Sequence, residues 1–236
     1  MTNVDAFIQV LRNCRSSQGV FNPWKARNRT YDVPLSPQLR REHLKAYLEA
    51  RLETAKYVLV AEALGYQGGR FSGIAMTSER MIAGHHKQVP PGHVLPGDAR
   101  TRTSKVRKDM NKTQQAMGMA EPTATIVWNT MLDYGAAPDE FVLWNAFPFH
   151  PYHPGKGTMN NRSGTQLTAA ELETGKQCLQ AFFALFPSDA VIAVGEIAAQ
   201  ALAAIGIQPA CRAKQPANGG KPDFVNDIAA YLMTRP

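Results

Sequence analysis

The sequence predicts an α/β domain, with a central parallel sheet of about four strands and helices on both faces. Three observations carry this. Tyr57–Val60, Phe141–Trp144 and Ala190–Val194 are short apolar runs of strand length, as buried strands are. Helix-patterned segments lie between them, which implies parallel pairing through crossovers. The 236 residues are 44% hydrophobic, enough for one sizeable core.

Taken in order, Val4–Leu11 has a short helical pattern, and Phe21–Pro37 is irregular, broken by Pro23, Pro34 and Pro37. Arg40–Thr54 reads as a charged amphipathic helix, since Leu44, Leu48 and Leu52 recur every four residues. It leads into the Tyr57–Val60 strand and a loop holding Gly65, Gly68, Gly69 and Gly73. Thr123–Tyr134 is a helix, and the Phe141–Trp144 strand ends in NAFPFHPYHPG. Leu167–Phe186 is a helix opened by a capping box, Thr168 with Glu171. The Ala190–Val194 strand, a helix over Glu196–Ile205, a Cys211–Gly220 loop and a last helix, Pro222–Leu232, complete the chain.

Residues 1–236 read as one domain with a basic insertion at about 83–112. That insertion holds three prolines, three glycines, seven cations and two anions, so it carries +5 of the chain's net +7. It reads as a long loop, and its charge favours a polyanionic partner, most simply nucleic acid. His85, His86 and His93 lack helical i, i+4 spacing and a nearby carboxylate, so they are read as solvent-facing rather than metal-binding. No run approaches the roughly 18 apolar residues of a membrane helix, and the amino-terminal residues lack a secretory pattern. Three separated cysteines, Cys14, Cys178 and Cys211, include no CxxC pair. The expectation is a cytoplasmic monomer without a metal, a cofactor or a membrane partner.

The glycine-rich loop after the first strand, bracketed by Glu62 and Glu79, places bare backbone at the carboxyl end of the sheet, where open α/β folds bind ligands. Two more loops, Asn145–Gly157 and Arg212–Gly220, would converge there. Four segments in this order resemble the uracil-DNA glycosylase superfamily. AEALGYQGGRFSGIAMTSE (Ala61–Glu79) is similar to the first motif of its iron–sulfur branches. A strand ending in Asn145 is followed by Asn161–Arg162 and by Thr168–Glu171; AVIAVG and QPANGG (Gln215–Gly220) come next. The resemblance covers roughly Tyr57 to Leu232.

What the resemblance implies is hydrolysis of the N-glycosidic bond of uracil in DNA after the base has left the stack. Asn145 would read the base, because one primary amide donates to O4 and accepts from N3–H. Phe71 or Met76 would stack on it. Main-chain N–H groups near Glu62 and Ala63 would hold O2. Glu79 would orient the water, since the family's usual acid falls on Ala63. Gln215, standing where the family has histidine, would contact the leaving base or the minor groove as a weaker stabiliser. Gly65 replaces the tyrosine that guards the base's C5 position. Arg100, Arg102, Lys105, Arg107 and Lys108 would bind phosphates, with His150, His153 and Asn218 also at the DNA. The branches' iron–sulfur cluster needs four cysteines. Cys14 and Cys178 stand near two of those positions, but Ser17 and Phe149 stand near the others, so no cluster is expected. The alternative is a non-catalytic or weakly active binder of uracil- or abasic-site DNA. A small phosphohydrolase would need clustered acids for a metal, and none stands out.

Overall fold

The computed structural model describes residues 3–15, 17–97 and 101–234. Helix α1 (Asn3–Asn13), strand β1 (Val20–Phe21), helix α2 (Ser36–Glu49) and strand β2 (Tyr57–Ala63) come first. Four short helical turns follow: α3 (Gly69–Ser72), α4 (Glu79–Ile82), α5 (Pro91–Val94) and α6 (Lys112–Met117). Then come α7 (Pro122–Asp133), β3 (Phe141–Phe147), β4 (His150–Pro151), α8 (Ala169–Leu185), β5 (Val191–Val194), α9 (Glu196–Ala203), β6 (Cys211–Ala213) and α10 (Lys221–Met233).

The main sheet has four parallel strands in the order β3-β2-β5-β6, as the sequence predicts. The chain leaves β2 toward β3, then crosses back to lay β5 on the other side. That reversal opens a crevice at the carboxyl ends of β2 and β5. Every residue of β3 is buried. Alternation along this strand sends Trp144 and Phe141 to opposite faces. Trp144 stacks on Phe182 of α8 at 4.7 Å and meets Phe7 of α1 at 5.2 Å. Phe141 meets Trp128 of α7 edge-on at 4.9 Å. Helices α1 and α8 therefore cover one face and α7 the other. No helix among the described residues is long and apolar enough to cross a membrane.

Helix α2 and the basic insertion both differ from the sequence reading. Helix α2 begins at Ser36 rather than Arg40, because Pro37 lies in its first turn, where a missing N–H costs no helical bond. The 83–112 insertion is not a loose loop over its described residues. Val89, Val94, Leu95 and Met110 are buried, Val33 N–H donates to Thr103 O (2.9 Å), and Lys105 N–H donates to Tyr31 O (2.8 Å).

Arg51 is the main anchor at the opposite end of the sheet. It is buried without a carboxylate partner, and its guanidinium donates to the carbonyls of Tyr47, His93, Val94, Pro138 and Phe141 at 2.7–3.3 Å. It also lies 3.9 Å over the Tyr47 ring. Arg51→Met should leave those buried carbonyls without a donor and lower unfolding free energy by at least about 3 kcal/mol, since each unmet group costs about 1–3. Urea unfolding measures this directly; a loss under about 1 kcal/mol would show that water replaces the side chain.

Candidate active site

A cavity of about 180 Å³ lies at the carboxyl end of β2. At about 30 Å³ per water it holds roughly six, the scale of one flat ring. Its floor is the end of β2 with the start of the glycine loop, Ala61 to Gly65. Met76 and the first turn of α7, with Glu121 and Thr123, form one wall. Pro151, Asn161, Arg162 and Ser163 form another, and Gln215 and Ala217 close it from the loop after β6. All three predicted loops therefore converge here.

Asn145 does not itself line this cavity, but its cross-strand neighbour Ala61 does. The two residues pair across β2 and β3, so their side chains share a face, the one that α7 covers. Asn145 is 1% exposed, yet neither Oδ1 nor Nδ2 has a hydrogen-bond partner among the described residues. A buried amide without partners costs about 1–3 kcal/mol, so it calls for an external ligand or a functional explanation. Gln215 is similar: its Oε1 is buried without a partner while its side chain backs onto Gly195. Met76 has φ of 45°, a left-handed conformation that a long side chain adopts at a cost of about 1–3 kcal/mol and that clusters at functional sites. Ala63 and Gly65 are at the floor.

Several expected roles are overturned by packing. Glu79 is 2% exposed and does not line the cavity. Its carboxylate accepts from the N–H groups of Thr103 (2.7 Å), Ser104 (2.8 Å) and Met119 (3.1 Å) and from the Ser104 hydroxyl (2.5 Å). It ties the insertion to the glycine loop and has little capacity left for a water. Phe71 is fully buried among Met110 and Met119, with the Arg70 guanidinium 4.2 Å over its ring, and cannot stack on a base. Arg70 is fixed in turn by a buried ion pair with Asp32 (3.0 Å), which also pairs with Arg40 at 2.9 Å. His150 is buried with Nδ1 2.9 Å from Leu64 O and Nε2 3.1 Å from Thr158 O. Burial pushes it down to about 4, so it supplies no charge to DNA. Arg102 bonds Gln114 O (2.9 Å), Gln115 O (2.6 Å) and Ser104, and is a brace inside the insertion. Arg107 pairs with Asp109 at 2.9 Å over the Tyr31 ring. Lys105 donates to Arg29 O, whereas Lys108 and Asn218 are exposed. His153 is half-buried, its N–H bonded to Asn160 Oδ1. Arg100 lies outside the described residues.

Glu62 lines the cavity, but its carboxylate already accepts from Gly164 N–H and faces the Ser163 hydroxyl. The carboxyl that the sequence reading missed is Glu121. It precedes α7 and folds back over the glycine loop, and its carboxyl makes no hydrogen bond or ion pair among the described residues. A Cβ at Gly65 would lie 2.5 Å from its Oε1, and one at Gly68 would collide with its Oε2. These two glycines leave the room the carboxyl occupies. The residue as a whole is partly exposed, but Oε2 has no solvent contact. Burial pushes the carboxyl up to about 7.

Cys14 Sγ and Cys178 Sγ lie 3.6 Å apart, and the Ser17 hydroxyl donates to Glu171 at 2.7 Å. Among the described residues, no group of three or more His, Cys, Asp or Glu side chains is arranged to hold a metal ion.

No protein-family model matches the chain, and no curated protein sequence does. Among solved structures, the chain is similar to wild-type SMUG2 of Pedobacter heparinus, with a TM-score of 0.60 and 14% identity. The match covers 99% of this chain and 96% of that one. The likeness is one of fold, and it spans the whole α/β domain.

Proposed function

We propose that this protein is a DNA glycosylase that hydrolyses the N-glycosidic bond of a damaged base, with uracil as the reference substrate. The observation that carries the reading is the Asn145 amide, buried without a partner among the described residues and paired across the sheet with Ala61, which lines a ring-sized cavity at the carboxyl edge of the sheet. A primary amide matches the O4 acceptor and N3–H donor of uracil with one donor and one acceptor. The fold likeness to SMUG2 and the sequence resemblance to the uracil-DNA glycosylase superfamily both support this assignment. In this reading Asn145 reads the flipped base, Met76 packs on its face, and Gln215 donates to it as it leaves. Main-chain N–H groups near Glu62 and Ala63 hold O2. Asn218, at the exposed tip after Gln215, and His153 face the duplex. The protein acts as a monomer in the cytoplasm, without a cofactor or metal cluster.

A second reading rests on one feature of the cavity: Arg162, the cation lining it, is engaged by Glu171 at 2.8 Å. With only the Gln215 amide to meet a leaving anion, the site suits a binder of uracil-containing DNA that excises slowly. Labelled oligonucleotides carrying uracil, single- and double-stranded, separate the two when cleavage by alkali and binding are measured together. Strand breaks at the uracil position support excision; tight binding without breaks supports the sensor.

Among the described residues of the insertion, the exposed lysines are the groups left to meet phosphates. Lys108→Ala with Lys112→Ala should leave the fold intact and lower the salt dependence of duplex binding by about 2 in log–log slope, at about 0.9 per phosphate contact. An unchanged slope would remove the insertion from the DNA interface.

A further inference from the structure

We propose that Glu121 is the catalytic residue that takes the proton from the attacking water. The inference rests on the glycosylase reading and adds the group that reading lacks. Hydrolysis needs a proton acceptor within reach of the water, and His, Asp or Glu side chains are the usual acceptors. The cavity lining contains no histidine or aspartate and two glutamates, Glu62 and Glu121. Glu62 is held by Gly164 and Ser163, and Glu79 lies behind the wall with its oxygens committed to Thr103, Ser104 and Met119. Of the three carboxyls, that of Glu121 alone has no hydrogen-bond or ion-pair partner among the described residues, and Gly65 and Gly68 make the space in which it lies over the cavity floor.

The step balances without a further reagent. Water oxygen bonds to C1′ of the sugar, the C1′–N bond breaks, and its electron pair leaves with the base. The water proton passes to the Glu121 carboxylate, which later returns it to solvent, and the anionic base collects a proton afterwards. The charged and titratable neighbours are few. Glu62 lines the same cavity, as does Arg162 in its pair with Glu171. Arg80 lies beyond Met119, and His86 sits against Thr125 in the first turn of α7. None of them shifts Glu121 appreciably; burial alone raises it to about 7. A base must be ionised to act, so the rate should rise with pH up to about 7 and level off above it.

The test is single-turnover excision of uracil by the wild type, Glu121→Gln and Glu121→Asp from pH 5.5 to 9. Binding to DNA with a non-cleavable 2′-fluoro-uridine is measured in parallel. Glu121→Gln should lose about 10²–10⁴-fold in rate, the usual contribution of a positioned base, with binding unchanged. It should also lose the rise below pH 7, and Glu121→Asp should recover part of the rate. An active wild type with an equally active Glu121→Gln, or a rate loss matched by a binding loss, would overturn the role of Glu121. A wild type that binds but excises no base from any of a panel of damaged DNAs overturns the glycosylase reading itself.

Discussion

Asn145→Asp should lower the single-turnover rate of uracil excision by about 10³-fold or more, and excision of cytosine should rise relative to it. The amide of Asn145 is buried, paired across the sheet with the cavity-lining Ala61, and both its polar atoms are free of partners among the described residues. Uracil offers it an acceptor at O4 and a donor at N3–H. An ionised carboxylate only accepts, so O4 would meet another acceptor, whereas the amino group of cytosine would find one. Sites built to hydrogen-bond a substrate reject a mismatched analogue by about 10⁴–10⁵, which sets the scale. Asn145→Leu offers a second sign to check. Replacing an unpartnered buried amide by an apolar side chain of similar shape should be neutral or stabilising. Denaturant unfolding of this variant should therefore show no loss of stability while excision collapses. A marked destabilisation would make Asn145 a structural residue, and equal rates for Asn and Asp would remove it as the reader.

Glu121→Gln should make the protein more stable, and more so as the pH rises. Burial lifts the carboxyl from its ordinary 4.5 to about 7 in the folded state. The unfolded chain ionises first as pH rises, so the folded state is penalised between about 4.5 and 7 and carries the full penalty above that. Glutamine has no such cost. The gain should be near zero at pH 4 and reach at most about 3 kcal/mol at pH 8, from 1.36 kcal/mol per pKa unit. Partial solvent access to the side chain reduces this to about 2 kcal/mol. Melting curves of both proteins at pH 4.5 and pH 8 measure it. A stability difference that does not change with pH would mean that Glu121 ionises in the folded state as it does in water. A stabilising change that abolishes activity is the pattern expected where a site keeps a strained or poorly solvated group for its chemistry.

Strands β2, β3 and β5 were legible because each is a continuous apolar run covered on both faces. Strand β6 read as a loop, since it is three residues long at the sheet edge and centred on exposed Arg212. The glycine loop was legible as a ligand loop, but its side-chain roles were not. Whether Glu79 and Phe71 face a cavity or the interior is decided by Thr103, Ser104, Met110 and Met119, all distant in sequence. Read locally, the TSE sequence ending at Glu79 is a free acid at a helix start. Glu121 was missed for the converse reason. Before Pro122 it looks like an ordinary acid ahead of a helix, and only Gly65 and Gly68, more than fifty residues earlier, show where its carboxyl goes. The available signal was the pair of glycines without a phosphate-type motif around them, which implied that something other than backbone conformation required the missing side chains.

This cavity should cleave a base from DNA. Mass spectrometry of the reaction between excess protein and a uracil-containing oligonucleotide tests it most directly, because it detects both products without a coupled step. Free uracil and an abasic strand should appear in equal amounts, and at least about 10³-fold more slowly when Asn145 is replaced by aspartate. An intact oligonucleotide recovered from a tight complex, with no free base, would contradict it.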